Sequence, residues 1–312
     1  MTARDAGERH SRLTLSFLAR PGDPVIGALL RSRTPAEVLA AVTGMGGARH
    51  DSPRQLPDVP SLAAALGEWR QRLALLPSPK HPTAWQADGL RLICPGDEEW
   101  PPQLDDLGDT RPLLLWACGR ASLRDACTRS VAVVGSRAAT AYGQHVSLQI
   151  AAGLAGHGMT VVSGGAVGID TQAHQGALAA GGLTAAVLAG GLSFRYPRDA
   201  AMMLGQIETH GVLISECPPN HAPDRSSLLA RNRITAALAS GLVVVEAVPR
   251  SGTLASARHA RDLGRPVMAV PGPVTSVQSA GCHELIRDQG AHCVTSAHDI
   301  LEHVKPPDEG QR

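Results

Sequence analysis

Residues 130–170 read SVAVVGSRAATAYGQHVSLQIAAGLAGHGMTVVSGGAVGID, and they hold two short apolar runs that are each followed by a glycine-containing turn. A segment with helical character, at 141–157, lies between the runs. Runs that are apolar on both faces and separated by amphipathic helices are typical of parallel strands covered on both sides. The stretch therefore predicts a β–α–β unit with strands at 130–135 and 159–164.

The same alternation extends to the C-terminal part of the chain. It predicts an α/β fold, an extended Rossmann-like doubly wound and mainly parallel sheet, over residues 90–296. Apolar runs at 90–94 and 112–118 lead into this domain. Further strands are predicted at 183–190, 211–216, 241–247, 266–272 and 291–294, and further helices near 167–180, 199–208, 253–263 and 281–289 and from about residue 231.

A small all-helical domain is predicted at 1–76, followed by a proline-rich linker at 77–89. The segment 35–42 starts with proline, which suits a first helical turn. Residues 297–312 are predicted as a helix end and a disordered tail. Ser61 is the predicted N-cap of a helix, because apolar residues then recur at helical spacing (Leu62, Leu66, Trp69 and Leu73).

The composition excludes several classes of protein. The net charge is +1, and only two of the 29 basic residues are lysines, Lys80 and Lys305. Neither lysine follows a glycine-rich turn, so P-loop ATP hydrolysis is excluded and anion sites must use arginine. No apolar run is long enough to span a membrane, and the N-terminus has no signal-peptide pattern. Six cysteines without a pairing motif predict reduced thiols, and we expect a cytoplasmic protein without membrane association.

Ligands of an open parallel sheet bind beyond the carboxyl ends of its strands. Here these ends carry glycine with serine or threonine, which exposes backbone N–H groups at helix N-termini and attracts anions. Arginines stand in or beside the same turns. Several such sites along one edge suit a row of phosphates, as in a nucleic-acid backbone; alternatively, the glycines only form tight turns and the arginines only cap helices. The candidates are Ser136, Arg137, Gly164, Gly165, Arg198, Arg231, Arg233, Arg250, Ser251, Gly252 and Thr253.

We expect no cofactor and no metal. The first strand is followed by GSRAAT rather than G-x-G-x-x-G, and the strand ending Val187-Leu188-Ala189 lacks the acidic residue that binds a dinucleotide ribose. Asp170 and His174, four residues apart on a helix, resemble an acid–base pair, but structural roles are favoured for both. Ser163 has no nucleophile elbow around it. A zinc site would need more ligands than the C-terminal residues offer (Cys282, His283, Cys293).

At these turns the sequence resembles the DprA/Smf family. The matching segments are VAVVGSRAATAYG, VVSGGAVGIDTQAHQGAL, AVLAGGL with YP following, GVLISECPP, ARNRITAALAS, VVVEAVPRSGTLASARHA, and AVPGPV followed by SAGCHELIRDQGA. The lead-in GLRLICPGDEEWPPQLDDL is also similar. The resemblance covers residues 85–295, and the helical start resembles the small, SAM-like N-terminal domain of the family more loosely.

The resemblance implies a non-enzymatic protein that binds single-stranded DNA. It also implies that the protein protects incoming DNA and loads the recombinase RecA onto it in natural transformation and recombination, and that it forms a homodimer. By motif, the implied DNA ligands are Ser136 and Arg137 of GSR, Gly164 and Gly165 of SGGAVGID, Arg231 and Arg233 of RNR with Asn232 holding the turn, and Arg225 just upstream.

Three departures from the family pattern bear on binding. Leu228-Leu229-Ala230 stands where the family commonly has Phe-Pro before x-R-N-R, which removes a base-stacking surface worth roughly 1–3 kcal/mol per base. His283 stands where asparagine is frequent, and no winged-helix domain is expected after the sheet. The aromatic residues expected near the groove are Tyr142, Phe194 and Tyr196.

Two alternatives to a DNA-binding protein remain. One is a nucleotide-processing enzyme similar to the cytokinin-activating phosphoribohydrolases, but Ser256 stands where such enzymes have a catalytic glutamate. Glu246 is the remaining acidic candidate, and a structural role is favoured for it. The other is a sensor of a single small nucleotide, which would need one enclosed pocket rather than several spread anion sites.

Overall fold

A computed structural model describes residues 3–44, 59–74, 76, 89–194 and 198–304, except for the side chains of Ala3, Arg4 and Arg198. The predicted linker up to residue 88 and the predicted tail from residue 305 lie outside the described residues.

The N-terminal part is helical, with α1 at Ala3–Leu18, α2 at Pro24–Leu30, α3 at Pro35–Thr43 and α4 at Leu62–Leu73. Proline opens α3 as expected, and Thr34 and Glu37 form a capping box there. The prediction that Ser61 caps α4 is wrong. Its backbone is left-handed, with φ of 66°, and its side chain makes no capping hydrogen bond, whereas a capping residue needs an extended backbone.

Trp69 organises the core of this helical unit. Its ring is buried among aliphatic side chains of all four helices, and its Nε1 donates a hydrogen bond to Asp23 Oδ2 at 3.2 Å. Leu113, which precedes the second strand of the sheet, packs into the same core. Burial of these side chains supplies the main stabilisation of the unit, at about 25 cal/mol per Å² of apolar surface.

The rest of the chain forms one nine-stranded sheet in the order β1-β2-β6-β5-β4-β3-β7-β8-β9. The pairs β1–β2 and β2–β6 are antiparallel, and all others are parallel, as the apolar runs predict. The strands are β1 Arg91–Ile93, β2 Leu115–Cys118, β3 Ser130–Val134, β4 Thr160–Ser163, β5 Thr184–Leu188, β6 Val212–Ser215, β7 Leu242–Val244, β8 Val267–Ala269 and β9 His292–Cys293.

Helices cover both faces of the sheet, and the strand residues from β2 to β8 are buried. Three 3₁₀ segments interrupt the connections, at Pro102–Thr110, Arg198–Ala200 and Val277–Ser279. The helices are α5 Leu123–Thr128, α6 Ala141–Gly156, α7 Ile169–Ala179, α8 Ala201–His210, α9 Arg225–Leu238, α10 Gly252–Asp262, α11 Ala280–Gln289 and α12 Ala297–His303.

Helix α9 begins at Arg225 rather than near residue 231, which corrects the prediction. Asp224 is its N-cap and forms a capping box with Ser227, so the backbone becomes helical six residues earlier. The Arg231-Asn232-Arg233 motif is therefore inside a helix, where successive side chains point in different directions, and not in a turn.

The helical unit packs closely on the segment that leads into the sheet. A Cβ on Gly27 of α2 would come within 1.8 Å of the carbonyl oxygen of Asp109, so only glycine fits there. Arg9 of α1 forms an ion pair with Asp97, with Nη1 and Oδ2 2.6 Å apart. Together these contacts fix the position of the unit against the sheet.

Among the described residues, no helix is both long enough and apolar enough to cross a membrane. The six cysteines are thiols and form no disulfide among the described residues, and five of them are buried.

Candidate nucleic-acid interface

The chain order of the strands reverses beside β3, which pairs with β4 on one side and with β7 on the other. At this switch point a cleft of about 470 Å³ opens beyond the carboxyl ends of the strands. Doubly wound sheets bind their ligands at such points. The cleft brings together nine of the predicted residues: Ser136, Arg137, Gly164, Arg225, Arg231, Asn232, Ser251, Gly252 and Thr253.

The turn after β3 is locked to its neighbours through its backbone. Ser136 donates its N–H to the carbonyl oxygen of Glu246 at 2.8 Å, and its own carbonyl oxygen accepts from Ile169 at the start of α7 at 3.1 Å. Gly168, with φ of 87°, must be glycine, because a Cβ there would come within 2.4 Å of Ser136 O. This rigid backbone leaves the side chain of Arg137 exposed at the mouth of the cleft.

Glu246, which follows β7, stabilises the segment between β3 and α6 through hydrogen bonds to Thr140. Its two carboxylate oxygens accept hydrogen bonds from Thr140, Oε2 from the N–H at 2.9 Å and Oε1 from the hydroxyl at 2.5 Å. Thr140 is in turn the N-cap of α6. The Glu246 side chain is 1% exposed and does not line the cleft. A structural role accounts for its contacts.

Arg231 forms part of the floor of the cleft. Its Nη1 donates a hydrogen bond to Val187 O at 2.8 Å, and its guanidinium lies directly over Gly164. Burial lowers the pKa of Arg231, and the charge of Asp170 acts in the opposite direction. The cation is thus held in place by the ends of two strands and by one carboxylate.

Asp170 is buried beneath the turn after β4. Burial raises the pKa of this carboxyl, and the charge of Arg231 together with backbone N–H groups, including that of Ala166, lowers it. Asp170 also lines the cleft, and it lies near enough to Arg231 for their opposite charges to attract each other. The structural role that the sequence favours for Asp170 stays a prediction.

His174 is fully buried between α7 and β5. Its Nδ1 lies 2.7 Å from the hydroxyl of Thr184, which itself donates to Val161 O, so Nδ1 is the donor in this pair. Burial lowers the pKa of His174 to about 3, and the positive charge of Arg231 contributes to the shift. The imidazole is neutral at physiological pH and lies away from the cleft, and it therefore cannot act there as a general base.

The N-terminus of α10 forms one side of the cleft. Ser251 is its N-cap, with an extended backbone, and Gly252 and Thr253 form the first turn. Asn232 donates from Nδ2 to Gly252 O at 3.2 Å and so ties α9 to this turn. The positive end of the helix dipole of α10 is therefore directed to the cleft that also holds Arg231.

The remaining predicted residues lie outside the cleft. Gly165, with φ of 67°, lines a small adjoining cavity of about 140 Å³. Arg250 is exposed, in a turn with φ of 60°, and does not line the cleft. Arg198 opens a 3₁₀ segment, and its side chain lies outside the described residues, as does all of Tyr196.

Arg233 is not brought to the cleft. Its Nη2 forms a buried ion pair with Glu216 Oε1 at 2.7 Å, and its Nε and Nη1 donate to the carbonyl oxygens of Thr110 and Ala230. Glu216 also accepts the N–H of Gly22 from the helical unit at 3.0 Å. Side chains two positions apart on a helix point to nearly opposite sides, which is why Arg233 points away from the face that carries Arg231. The proposed interface leaves Arg233 out.

Beyond the nine predicted ligands, eleven further residues line the cleft, and five of them lie on α9, α10 and the 3₁₀ segment at Val277–Ser279. Helical spacing could have identified several of these residues, because they follow Arg225 at intervals of three or four along α9. The sequence prediction placed the Arg231-Asn232-Arg233 motif in a turn instead. The wall where an aromatic side chain is common in relatives is aliphatic here, and Tyr142 and Phe194 are not among the cleft residues. These five residues are Leu228, Leu229, Thr235, Ser256 and Gln278.

His283, which stands in place of asparagine, has Nε2 3.0 Å from Gly272 O. Among the described residues, no group of three or more Cys, His, Asp or Glu is arranged to hold a metal ion.

The family model of the DNA recombination-mediator protein A matches residues 91–305, which are most of the chain and include all nine strands of the sheet. The chain belongs to this family. A putative DNA processing protein DprA from Mycobacterium tuberculosis is 52% identical over 227 residues, which cover 69% of this chain and 58% of the relative. The DNA processing protein DprA of Bacillus subtilis is 34% identical, over 72% of this chain and 75% of the relative.

Two solved structures of DNA processing protein A are similar to the family member described here. That from Streptococcus pneumoniae has a TM-score of 0.73 and 29% identity and covers 96% of this chain and 98% of its own. That from Helicobacter pylori, described as showing a single-stranded DNA binding mode, has a TM-score of 0.61 and 28% identity, over 68% of this chain and 94% of its own. These similarities support the fold.

Proposed function

We propose that this protein binds single-stranded DNA in the cleft and catalyses no reaction. The observation that carries the proposal is the convergence of Arg137, Arg225 and Arg231 with the N-terminus of α10 at the switch point of the sheet. These groups supply fixed positive charge and backbone N–H donors, which bind phosphate oxygens regardless of sequence. The description of the Helicobacter relative supports the same ligand.

The absence of a catalytic role is part of the proposal, and it rests on the acidic groups of the region. Asp170 is buried and bonded to backbone N–H groups, while Glu246 is fully engaged with Thr140. Ser256, at the position of the phosphoribohydrolase glutamate, lines the cleft and carries no carboxyl group. Asp170 has the one carboxylate among the described cleft residues, and its bonds to backbone N–H groups together with the nearby charge of Arg231 favour a structural role over general acid or base catalysis.

The test is a titration of fluorescent oligo-dT at two salt concentrations, with duplex DNA as a competitor. We expect affinity to fall steeply with salt and Arg137→Ala to weaken binding and reduce the salt slope by about one. The matched control is Arg124→Ala, because Arg124 is exposed on α5, which precedes β3 and so lies at the opposite edge of the sheet. Binding that is independent of salt, or an equal loss in both variants, would contradict the proposal.

A second candidate is binding of a single small nucleotide. One observation favours this second candidate: the turns form a single cleft and not the spread anion sites that the sequence predicts. The cleft volume of 470 Å³ lies within the range of roughly 300–1,000 Å³ that is typical of small-molecule pockets. Competition between mononucleotides and oligo-dT distinguishes the two. Displacement of oligo-dT by micromolar mononucleotide would favour the nucleotide.

We propose further that the protein acts as a homodimer that protects incoming DNA and loads RecA onto it in natural transformation. Membership of the family and the similarity to DNA processing proteins support this role. Light scattering tests the dimer, and the rate of RecA assembly on oligo-dT with and without this protein tests the loading. A monomer, or an unchanged rate of assembly, would contradict the corresponding part.

A further inference from the structure

The exposed phenylalanine and tyrosine rings of this protein lie at one edge of the sheet. Among the phenylalanine, tyrosine and tryptophan residues that the structure describes, only Tyr142 and Phe194 are substantially exposed, at 41% and 42%. Tyr142 lies in the first turn of α6, which follows β3, and Phe194 lies in the loop that follows β5. Because β3 and β5 are parallel to β4, both rings lie beyond the carboxyl ends of strands, on the side of the sheet that carries the cleft.

The two rings differ in what holds them. The Tyr142 hydroxyl donates a hydrogen bond to Pro271 O at 2.6 Å, which fixes this ring against the segment after β8 and gives it a structural role. Phe194 has no polar group that could be fixed in this way. Its ring can therefore offer an apolar face to a ligand at the surface.

The loop that carries Phe194 is held by its backbone. Gly191 donates its N–H to His221 O at 2.9 Å, and Ser193 donates to Pro219 O at 3.0 Å. The N–H of Phe194 itself donates to Gly191 O at 2.9 Å and closes a turn. A ring on a backbone that is already fixed loses little conformational freedom when a ligand binds, which favours binding.

The end of β5 continues the surface of the cleft. A small cavity of about 140 Å³ shares Arg137 and Arg231 with the cleft and extends to Leu188 and Ala189 at the end of β5. Neighbouring strands are about 4.8 Å apart, so the end of β5 lies roughly 10 Å from that of β3, with β4 between them. A nucleic-acid strand that leaves the cleft along the strand ends in this direction next meets the loop of Phe194.

The chemistry at Phe194 complements that of the cleft. The cleft supplies arginines for phosphates, and Leu228 and Leu229 make part of its wall aliphatic. A phenyl ring can stack on the flat face of any base, and such stacking tolerates different sequences. An exposed aromatic ring beside a row of arginines thus fits a single strand, whose bases are unpaired, better than a duplex.

We infer that Phe194 stacks on a base of the bound strand outside the cleft, beyond the end of β5, while the cleft arginines bind the backbone phosphates. This inference rests on the proposed function, since it adds a contact to the strand that the cleft binds. It extends the DNA-binding surface from the end of β3 to the loop after β5.

The test combines two forms of the protein with two strands. Oligo-dT is compared with an abasic strand of equal length, which keeps every phosphate and removes every base. Phe194→Ala should weaken binding of oligo-dT by about 5-fold or more and leave the affinity for the abasic strand unchanged. The salt dependence of oligo-dT binding should stay the same, because the substitution removes no charge.

Leu183→Ala is the matched control. Leu183 is also 42% exposed, but it directly precedes β5 and so lies at the amino end of the same strand. We expect this substitution to change neither affinity. Because both side chains are exposed, neither substitution should shift the melting temperature appreciably, which separates a loss of binding from damage to the fold.

Phe194→Trp gives a direct signal of stacking. Three tryptophans of the described part are buried, and the wild type serves as the blank for the emission of all native tryptophans. The introduced indole should be quenched by oligo-dT and not by the abasic strand, at an affinity for oligo-dT at least equal to that of the wild type. Phe194→Leu keeps an apolar side chain without a ring face and should not restore the affinity.

Two results would overturn the inference and leave the cleft intact, provided that Arg137→Ala still weakens binding. One is an equal loss of affinity for both strands in Phe194→Ala, which would show that the ring does not act on a base. The other is unchanged affinity for oligo-dT in this variant, which would leave the exposed ring to a protein partner. If the wild type binds neither strand, the proposed function fails and this inference fails with it.

Discussion

Gly164 and Arg231 are in such close contact that a Cβ on residue 164 would come within 1.7 Å of Arg231 Nη1. The glycine directly follows β4, and the arginine reaches across it from α9 to the end of β5. The missing side chain of one residue is therefore what admits the charge of the other into the floor of the cleft.

Gly164→Ala should displace the Arg231 guanidinium and break its bond to Val187. We expect oligo-dT affinity to fall about as far as in Arg231→Ala, with a loss of unfolding free energy of about 1 kcal/mol. Fluorescence titration and thermal unfolding measure the two effects. Gly205→Ala is the control, because it lies in α8 with no atom within 4 Å of the added methyl, and alanine there should stabilise by up to about 1 kcal/mol. Unchanged binding in Gly164→Ala would show that the position of Arg231 is unimportant.

Arg233→Ala should act on stability and not on the salt dependence of DNA binding. The substitution leaves the buried carboxylate of Glu216 without its cation, which typically costs about 3–5 kcal/mol. Denaturant unfolding measures the loss. Arg111→Ala, which breaks an exposed pair with Asp105, is the comparison and should cost less than about 1 kcal/mol. If the Arg233→Ala variant is stable and the salt dependence of its DNA affinity is reduced, Arg233 contacts the DNA and the prediction is wrong.

Stability should fall in acid because of His174. Its pKa is lowered to about 3 in the folded protein and is about 6.5 in the unfolded chain, so the unfolded chain binds the extra proton between these values. The stabilising contribution of neutral His174 to the free energy of unfolding is complete above pH 6.5 and is lost as the pH falls towards 3. Asp170 acts in the opposite sense, because its raised pKa favours the folded protein at low pH.

The measurement is the free energy of unfolding at several values between pH 6 and pH 4. Wild type should lose up to about 1.4 kcal/mol per pH unit through this histidine, and His174→Gln should lack that part of the slope. His157→Gln, an exposed histidine at the end of α6, is the control and should leave the slope unchanged. Identical slopes in wild type and His174→Gln would contradict the buried, neutral state of His174.

The sheet could be predicted because its strands are apolar on both faces, a pattern that only a covered parallel sheet explains. The position of the site followed from the same sheet, since ligands bind at strand ends. The direction of individual arginines could not be predicted without the start of α9. Once Asp224 and Ser227 are recognised as a capping box, the helical period places Arg231 and Arg233 on different faces.

Thr235 could not be identified from the sequence at all. A threonine among Ile234 and Ala236 is indistinguishable from a residue that packs in the core. Only the arrangement of α9 against α10 and the segment of Gln278 shows that this residue lines the cleft. Its position there depends on contacts between elements that are distant in the chain.

The cations that line the cleft are all arginines, and the two lysines of the chain, Lys80 and Lys305, are elsewhere in the sequence. Lysine acetylation therefore cannot erase the charge of the cleft, and a cell that controls this protein must do so by other means. For the same reason, amine-reactive dyes and cross-linkers leave the cleft itself unmodified.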